Sequence, residues 1–184
     1  MKHALARAAL CAALVLPFAA QAHKMWMVPS ATVVSSDDAW VTVDAAISND
    51  LYYPDHFPAQ LDQLTITAPD GSTVKPENPW TGKYRCAFDL PVPQKGTYRL
   101  ALATQGLFAS YEVDGQKKRW RGKAEELKSG IPANAKNVQV SEMASRVETF
   151  VTQGKPGGSA LKPTGKGLEL VPVTQPNDLV SGEK

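Results

Sequence analysis

Trp40-Val41-Thr42-Val43-Asp44-Ala45 decides the fold class, because its side chains follow a period-two pattern and are rich in β-branched residues. Alternate residues of an extended chain point to opposite faces, so this is the pattern of a half-buried strand. Working outward, Leu64-Thr65-Ile66-Thr67 repeats it and is closed by the turn Pro69-Asp70-Gly71-Ser72. In such a turn proline presets φ, the aspartate bonds nearby backbone and glycine accepts a positive φ. Gly96 to Leu102 is a further strand, and Leu107 to Val113 is expected to pair with it as a hairpin across Gln105-Gly106. Asp114-Gly115 reads as another hairpin turn. Later strands are expected at Val138 to Val140, Ser145 to Val151 and Leu168 to Val171.

Only Lys123 to Lys128 looks helical, and Gly130 with Pro132 stops it after about two turns. Many short strands at this spacing, with 14 prolines and 13 glycines, indicate an all-β fold: an antiparallel β-sandwich of immunoglobulin-like type with one short helix. Trp26 and Trp40 are expected as core anchors. Gly154 to Gly167, rich in Gly, Lys and Pro, is expected to be a mobile loop. The expected division is a signal peptide over residues 1–22, a sandwich domain over 23–173 and a polar, linker-like tail over 174–184, beyond which a second domain is expected to follow.

The signal peptide rests on Lys2 and Arg7, the apolar run Ala8 to Ala19, and Ala20-Gln21-Ala22, which puts small residues three and one places before a cut. Cutting after Ala20 or Ala19 would put Phe18 or Pro17 at the first of those places. Taking residues 1–22 from the 184 leaves 162, enough for one sandwich and a tail, in an exported, periplasmic product that keeps no membrane anchor. Processing removes Lys2 and Arg7, leaving 18 basic against 18 acidic residues, a balance that argues against a nucleic-acid partner. The local basic cluster Lys117, Lys118, Arg119 and Arg121 around Trp120 reads as a solvated turn. Cys11 leaves with the signal, so Cys86 has no partner for an intramolecular disulfide. Its alternation with Phe88 marks a buried core thiol.

The chemistry lies in the histidines. His3 is removed with the signal, so the mature chain has His23 and His56, and cleavage after Ala22 makes His23 the first residue. A terminal histidine carries an α-amine and an imidazole on one residue, a ready chelate. With His56 it makes a three-nitrogen site, a histidine brace, suited to copper(II) and nickel(II). Asp55 can orient an imidazole, supply an oxygen ligand or hold a turn. Pro54 and Pro58 stiffen the backbone around His56. Met25 and Met27 share a strand face with His23 and are expected to pack rather than ligate. Tyr52 and Tyr53 lie in the same loop.

Three stretches carry a resemblance. His23-Lys24-Met25-Trp26-Met27-Val28-Pro29-Ser30, then Ser48-Asn49-Asp50-Leu51-Tyr52-Tyr53-Pro54-Asp55-His56-Phe57-Pro58, then Leu168-Glu169-Leu170-Val171-Pro172-Val173-Thr174 with Pro176, resemble a family of exported bacterial proteins of unknown function, often labelled nickel-uptake transporter, NikM-like subunit. The resemblance implies that His23 and His56 are the family's shared histidines. It also implies a second β-sandwich after the Pro-Asn-Asp-Leu segment. The expected function is a non-enzymatic periplasmic metal-binding accessory, handling nickel, cobalt, copper or iron for a membrane transporter or receptor of an uptake system. The metal would be held by His23, His56 and Asp55. Two alternatives stand beside it: a copper histidine-brace oxidase of polysaccharide-monooxygenase type, and a metal-free binding or scaffold module. No Ser/His/Asp set, phosphate loop or acid-base carboxylate pair is visible.

Overall fold

The computed structural model describes residues 23–165 and 167–178, so the expected signal peptide (1–22) and the end of the tail (179–184) lie outside the described residues. The strands are β1 (Lys24–Pro29), β2 (Val33–Val34), β3 (Trp40–Ser48), β4 (Phe57–Pro58), β5 (Leu64–Thr67), β6 (Thr73–Val74), β7 (Glu77–Thr81), β8 (Cys86–Pro91), β9 (Gly96–Val113), β10 (Gln116–Gly122) and β11 (Lys136–Gln153). One sheet runs β1-β3-β8-β7 with β4 also on β3, and the other runs β2-β11-β9-β5-β6 with β10 also on β9. The pairs are antiparallel except β2 with β11. The chain is an all-β sandwich, as the alternation indicated.

Between the sheets, Val41, Val43 and Ala45 of β3 and Cys86, Phe88 and Leu90 of β8 meet Ile66, Tyr98, Leu100, Leu102 and Val151 of the opposite sheet. Each of the larger side chains contributes about 1.5–3 kcal/mol by leaving water. Because side chains alternate, burying Val41 and Val43 turns Trp40 outward, and it is 46% exposed rather than a core anchor. Met27 sits in the core and Met25 packs against it, the packing role expected of both. Cys86 is fully buried, its thiol directed at the carbonyls of Ala45 and Ala59, and burial pushes its pKa up.

The expected hairpin at Gln105-Gly106 does not form. β9 runs straight through it, and Gly106 pairs with Met143 of β11. Gly106 is not in the left-handed region that a tight turn uses; a Cβ there would come 3.2 Å from the Gly122 carbonyl oxygen, so the glycine permits a close approach of β10. The two strands expected at 138–140 and 145–151 accordingly merge into β11, paired with β9 almost end to end. The Asp114-Gly115 turn forms with φ of 52° and 74°, joining β9 to β10. The basic residues Lys117, Lys118, Arg119 and Arg121 lie on β10 beyond that turn, all exposed. The expected helix over 123–128 is a 3-10 turn (Ala124–Glu126) running into one α-helical turn (Leu127–Gly130), where Gly130 closes against the Trp120 ring.

The Gly154 to Gly167 loop is fastened to the sandwich rather than free. Thr97 donates its N–H to the Gly157 carbonyl, Ser159 donates its N–H to the Pro69 carbonyl, and Ala160 is buried. The strand expected over Leu168 to Val171 is absent because the chain curls there. The Glu169 carboxylate accepts hydrogen bonds from the Thr164 and Gly165 N–H groups and the Thr164 hydroxyl. Of the linker-like tail, Asn177 is tied by its side-chain amide to Thr32, Phe150 and Thr152 at the β2–β11 edge.

The Thr164 N–H first, then the Thr164 hydroxyl and Gly165 N–H, and last the Arg146 guanidinium 3.8 Å away, pull Glu169 down to about 2 from an ordinary 4.5. A carboxylate with a depressed folded pKa stabilises fully above its unfolded pKa, and that stabilisation drains as pH falls toward the folded one. Thermal melts of the native chain are therefore expected to lose Tm between about pH 4.5 and 2, and Glu169→Gln is expected to flatten part of that slope while lowering Tm at pH 7.

Candidate metal centre

β1 begins at Lys24, paired with Ser48 at the end of β3. One step further along the same register, His23 stands opposite Asn49, and its Nδ1 lies 3.0 Å from Asn49 Oδ1. His56 arrives from the other side, just before β4, where Phe57 pairs with Ile47 of β3. The two imidazoles stack with ring centroids 3.8 Å apart and planes at 28°. Phe57 backs His56 at 4.1 Å between centroids. His23 is exposed and His56 half-buried, so the pair is open to solvent on one side.

The loop that delivers His56 is closed by a clasp. Asp55 accepts the Asn49 backbone N–H on Oδ1 and the Asn49 side-chain amide on Oδ2, both at 3.1 Å. The Asn49 N–H is the main cause that holds the Asp55 carboxyl below its usual range, ahead of the opposing effect of burial and the lesser help of the Asn49 side chain. At the loop's root the Trp26 indole donates to the Ser48 hydroxyl at 2.8 Å, and that hydroxyl donates to the Asp50 carbonyl. Tyr52 is held at φ 67°, a left-handed conformation unusual for an aromatic residue, with its ring edge-on to Trp26 at 5.7 Å between centroids. Trp26 is buried as expected, but under this loop on the outer face of the sheet, away from the main core. Tyr53 is exposed.

Donor and acceptor counting fixes the state of His23. Asp55 offers only acceptors, so Asn49 must turn its NH₂ toward Asp55 and its carbonyl oxygen toward His23. His23 Nδ1 must then be the donor, and in the neutral ring Nε2 keeps the free lone pair. Asn49, quoted in the sequence but given no role there, is thus the residue that links both histidine segments. Only the β1–β3 register puts it opposite His23, and the sequence does not display register.

A shared ion needs nitrogen donors at about 2.0–2.1 Å, hence about 4 Å from each other. Two in-plane ligand rings at that nitrogen spacing have centres farther apart than 3.8 Å, so the imidazoles must both turn from face-to-face and move apart to share an ion. Among the described residues no three His, Cys, Asp or Glu side chains gather as a ready metal cage. Side chains bring two imidazoles, with the Asp55 carboxylate bonded to Asn49 beside them. Cys86 is buried in the core and takes no part.

The sequence profile of a family described as a domain of unknown function, DUF4198, matches residues 20–184, nearly all of the chain. That description assigns no activity. No curated protein and no solved structure matches the chain.

Proposed function

The chain belongs to the DUF4198 family, a domain of unknown function, and we propose that it is an exported, non-enzymatic metal-binding accessory which holds one transition-metal ion between His23 and His56. The observation that carries this reading is the stacking of two imidazoles at 3.8 Å from segments far apart in the chain. Export and cleavage after Ala22 would add the α-amine, giving three nitrogen donors. Such a set suits copper(II) and nickel(II) over magnesium or calcium. Asp55 and Asn49 act from behind: their clasp holds the His56 loop against the start of β1 and lowers the cost of ordering the site. Among the described residues no helix is long and apolar enough to cross a membrane. Delivery to a separate transporter or receptor in the periplasm is part of this reading.

The amine and Nδ1 of a terminal histidine close a chelate ring, and Nδ1 is the atom Asn49 now holds. Metal binding through that ring exchanges one hydrogen bond for a coordinate bond. Calorimetric titration of protein processed to His23 is expected to give one bound copper(II) or nickel(II) per chain. His56→Ala is expected to weaken binding by more than roughly 100-fold, beyond the 10–100-fold typical of losing an orienting partner. Equal affinity in His56→Ala would sink the proposal. Peroxide release from the copper-loaded protein and a reductant would favour the oxidase instead.

A further inference from the structure

On the second sheet, away from the histidines, a cavity of about 280 Å³ opens on the outer face of β5, β9 and β11. Register explains why it is there. Thr65 stands opposite Ala101 and Thr67 opposite Arg99, while Arg146 of β11 stands opposite Ala103. Ala101, Ala103 and Ala144 therefore form a shallow floor of small side chains, with Arg99 and Arg146 rising beside it. Thr164 and Leu168, from the segment that curls around Glu169, border it on the outside.

The hydrogen-bond balance of this cavity is one-sided. Arg146 Nε donates to Glu148 at 2.7 Å, and Arg99 Nη1 donates to the Lys162 carbonyl at 3.1 Å. Their other carboxylate approaches, Arg99 Nε to Glu148 and Arg146 Nη2 to Glu169, are both 3.8 Å, longer than a hydrogen bond. Glu169 is already occupied by Thr164 and Gly165. Each guanidinium carries several more N–H groups than these contacts use. The cavity wall contains both arginines, the hydroxyls of Thr65 and Thr67 and the Gln105 amide, and among the described residues no aspartate or glutamate. An open recess whose arginines keep N–H groups that their glutamate contacts do not use is complementary to a ligand that is all acceptor.

We infer that this cavity binds a small organic carboxylate, its oxygens on the Arg99 and Arg146 guanidiniums and its carbon skeleton on the alanine floor. Planar guanidiniums match carboxylates two bonds at a time. The apolar floor distinguishes an organic acid from an inorganic oxyanion. The volume is at the small end for a ligand site, which excludes a nucleotide-sized cofactor.

Citrate and succinate are the probes, with inorganic phosphate as the comparison, on the mature chain by calorimetry and thermal melt. At least one of the two acids is expected to bind with Kd below about 1 mM and to raise Tm. Ala103→Leu fills the floor at an exposed strand position and removes no ion-pairing side chain, so it is expected to keep the native Tm and weaken binding about tenfold or more. His23→Ala is expected to leave carboxylate binding unchanged, which separates this site from the metal reading. The inference is overturned if neither acid binds at about 10 mM, if phosphate binds as tightly as both, or if Ala103→Leu binds like the native chain.

Discussion

One extra residue in front of His23 is expected to weaken copper(II) and nickel(II) binding by more than roughly 100-fold, a larger loss than outer-shell changes give. The extension turns the α-amine into an amide, which has no basic lone pair at neutral pH, and so removes a ligand and a chelate ring together. The pH dependence should change with it. A free α-amine titrates near 7.7–8.0, so at pH 7 it is mostly protonated, and freeing it costs about 1 kcal/mol before any bond to metal forms. Metal and proton compete for that nitrogen, and affinity for the mature protein is expected to climb steeply from about pH 6 to 8. The extended protein should level off earlier. Parallel calorimetric titrations of the two forms across that range are the measurement. If both bind equally, the ligand atom on His23 is Nε2, the nitrogen that the Asn49 contact leaves free, and the terminus is irrelevant.

The pattern around this site was legible in the sequence where it depended on single residues, and hidden where it depended on register. His23 and His56 stand out because a cleavage motif and a pair of prolines frame them, and the structure brings their rings together. Asn49 carries no comparable mark. Its function comes from sitting one step beyond the Lys24–Ser48 pair and from the Asp55 carboxylate behind it. Strand existence was equally readable from alternation, as in β3 and β5, and the Asp114-Gly115 turn forms as its residue types demand. The Gln105-Gly106 reading failed because glycine serves two opposite needs. It permits a positive φ at a turn, and it permits a neighbouring backbone to come close within a straight strand. Trp40 failed for a related reason: alternation identifies two faces but not which one is buried, and Val41 and Val43 took the inside. The charged cluster on the outer face was invisible, since Arg99, Arg146 and Glu148 meet only once β9 and β11 lie side by side.

That cluster supports the second large effect. Arg99, Arg146 and Glu148 side chains are 9%, 12% and 10% exposed, so their charges are almost fully withdrawn from water. Glu148→Leu is expected to destabilise the fold by about 3 kcal/mol or more, because it leaves two mostly buried guanidiniums without their shared carboxylate. Replacing all three together, Arg99→Met, Arg146→Met and Glu148→Leu, is expected to restore most of that loss, since a well-packed apolar set removes the desolvation cost along with the attraction. Glu169 is not stranded by the change, because Thr164 and Gly165 hold it independently of Arg146. Denaturant melts of the single and triple variants decide the point. A single variant within about 0.5 kcal/mol of the native chain would show the cluster to be solvated, and would remove the low-dielectric setting that the carboxylate site needs. A triple variant that matches native stability yet no longer binds citrate or succinate would mean that the arginines stabilise the sandwich no better than methionine does, and that their contribution is to the cavity beside them.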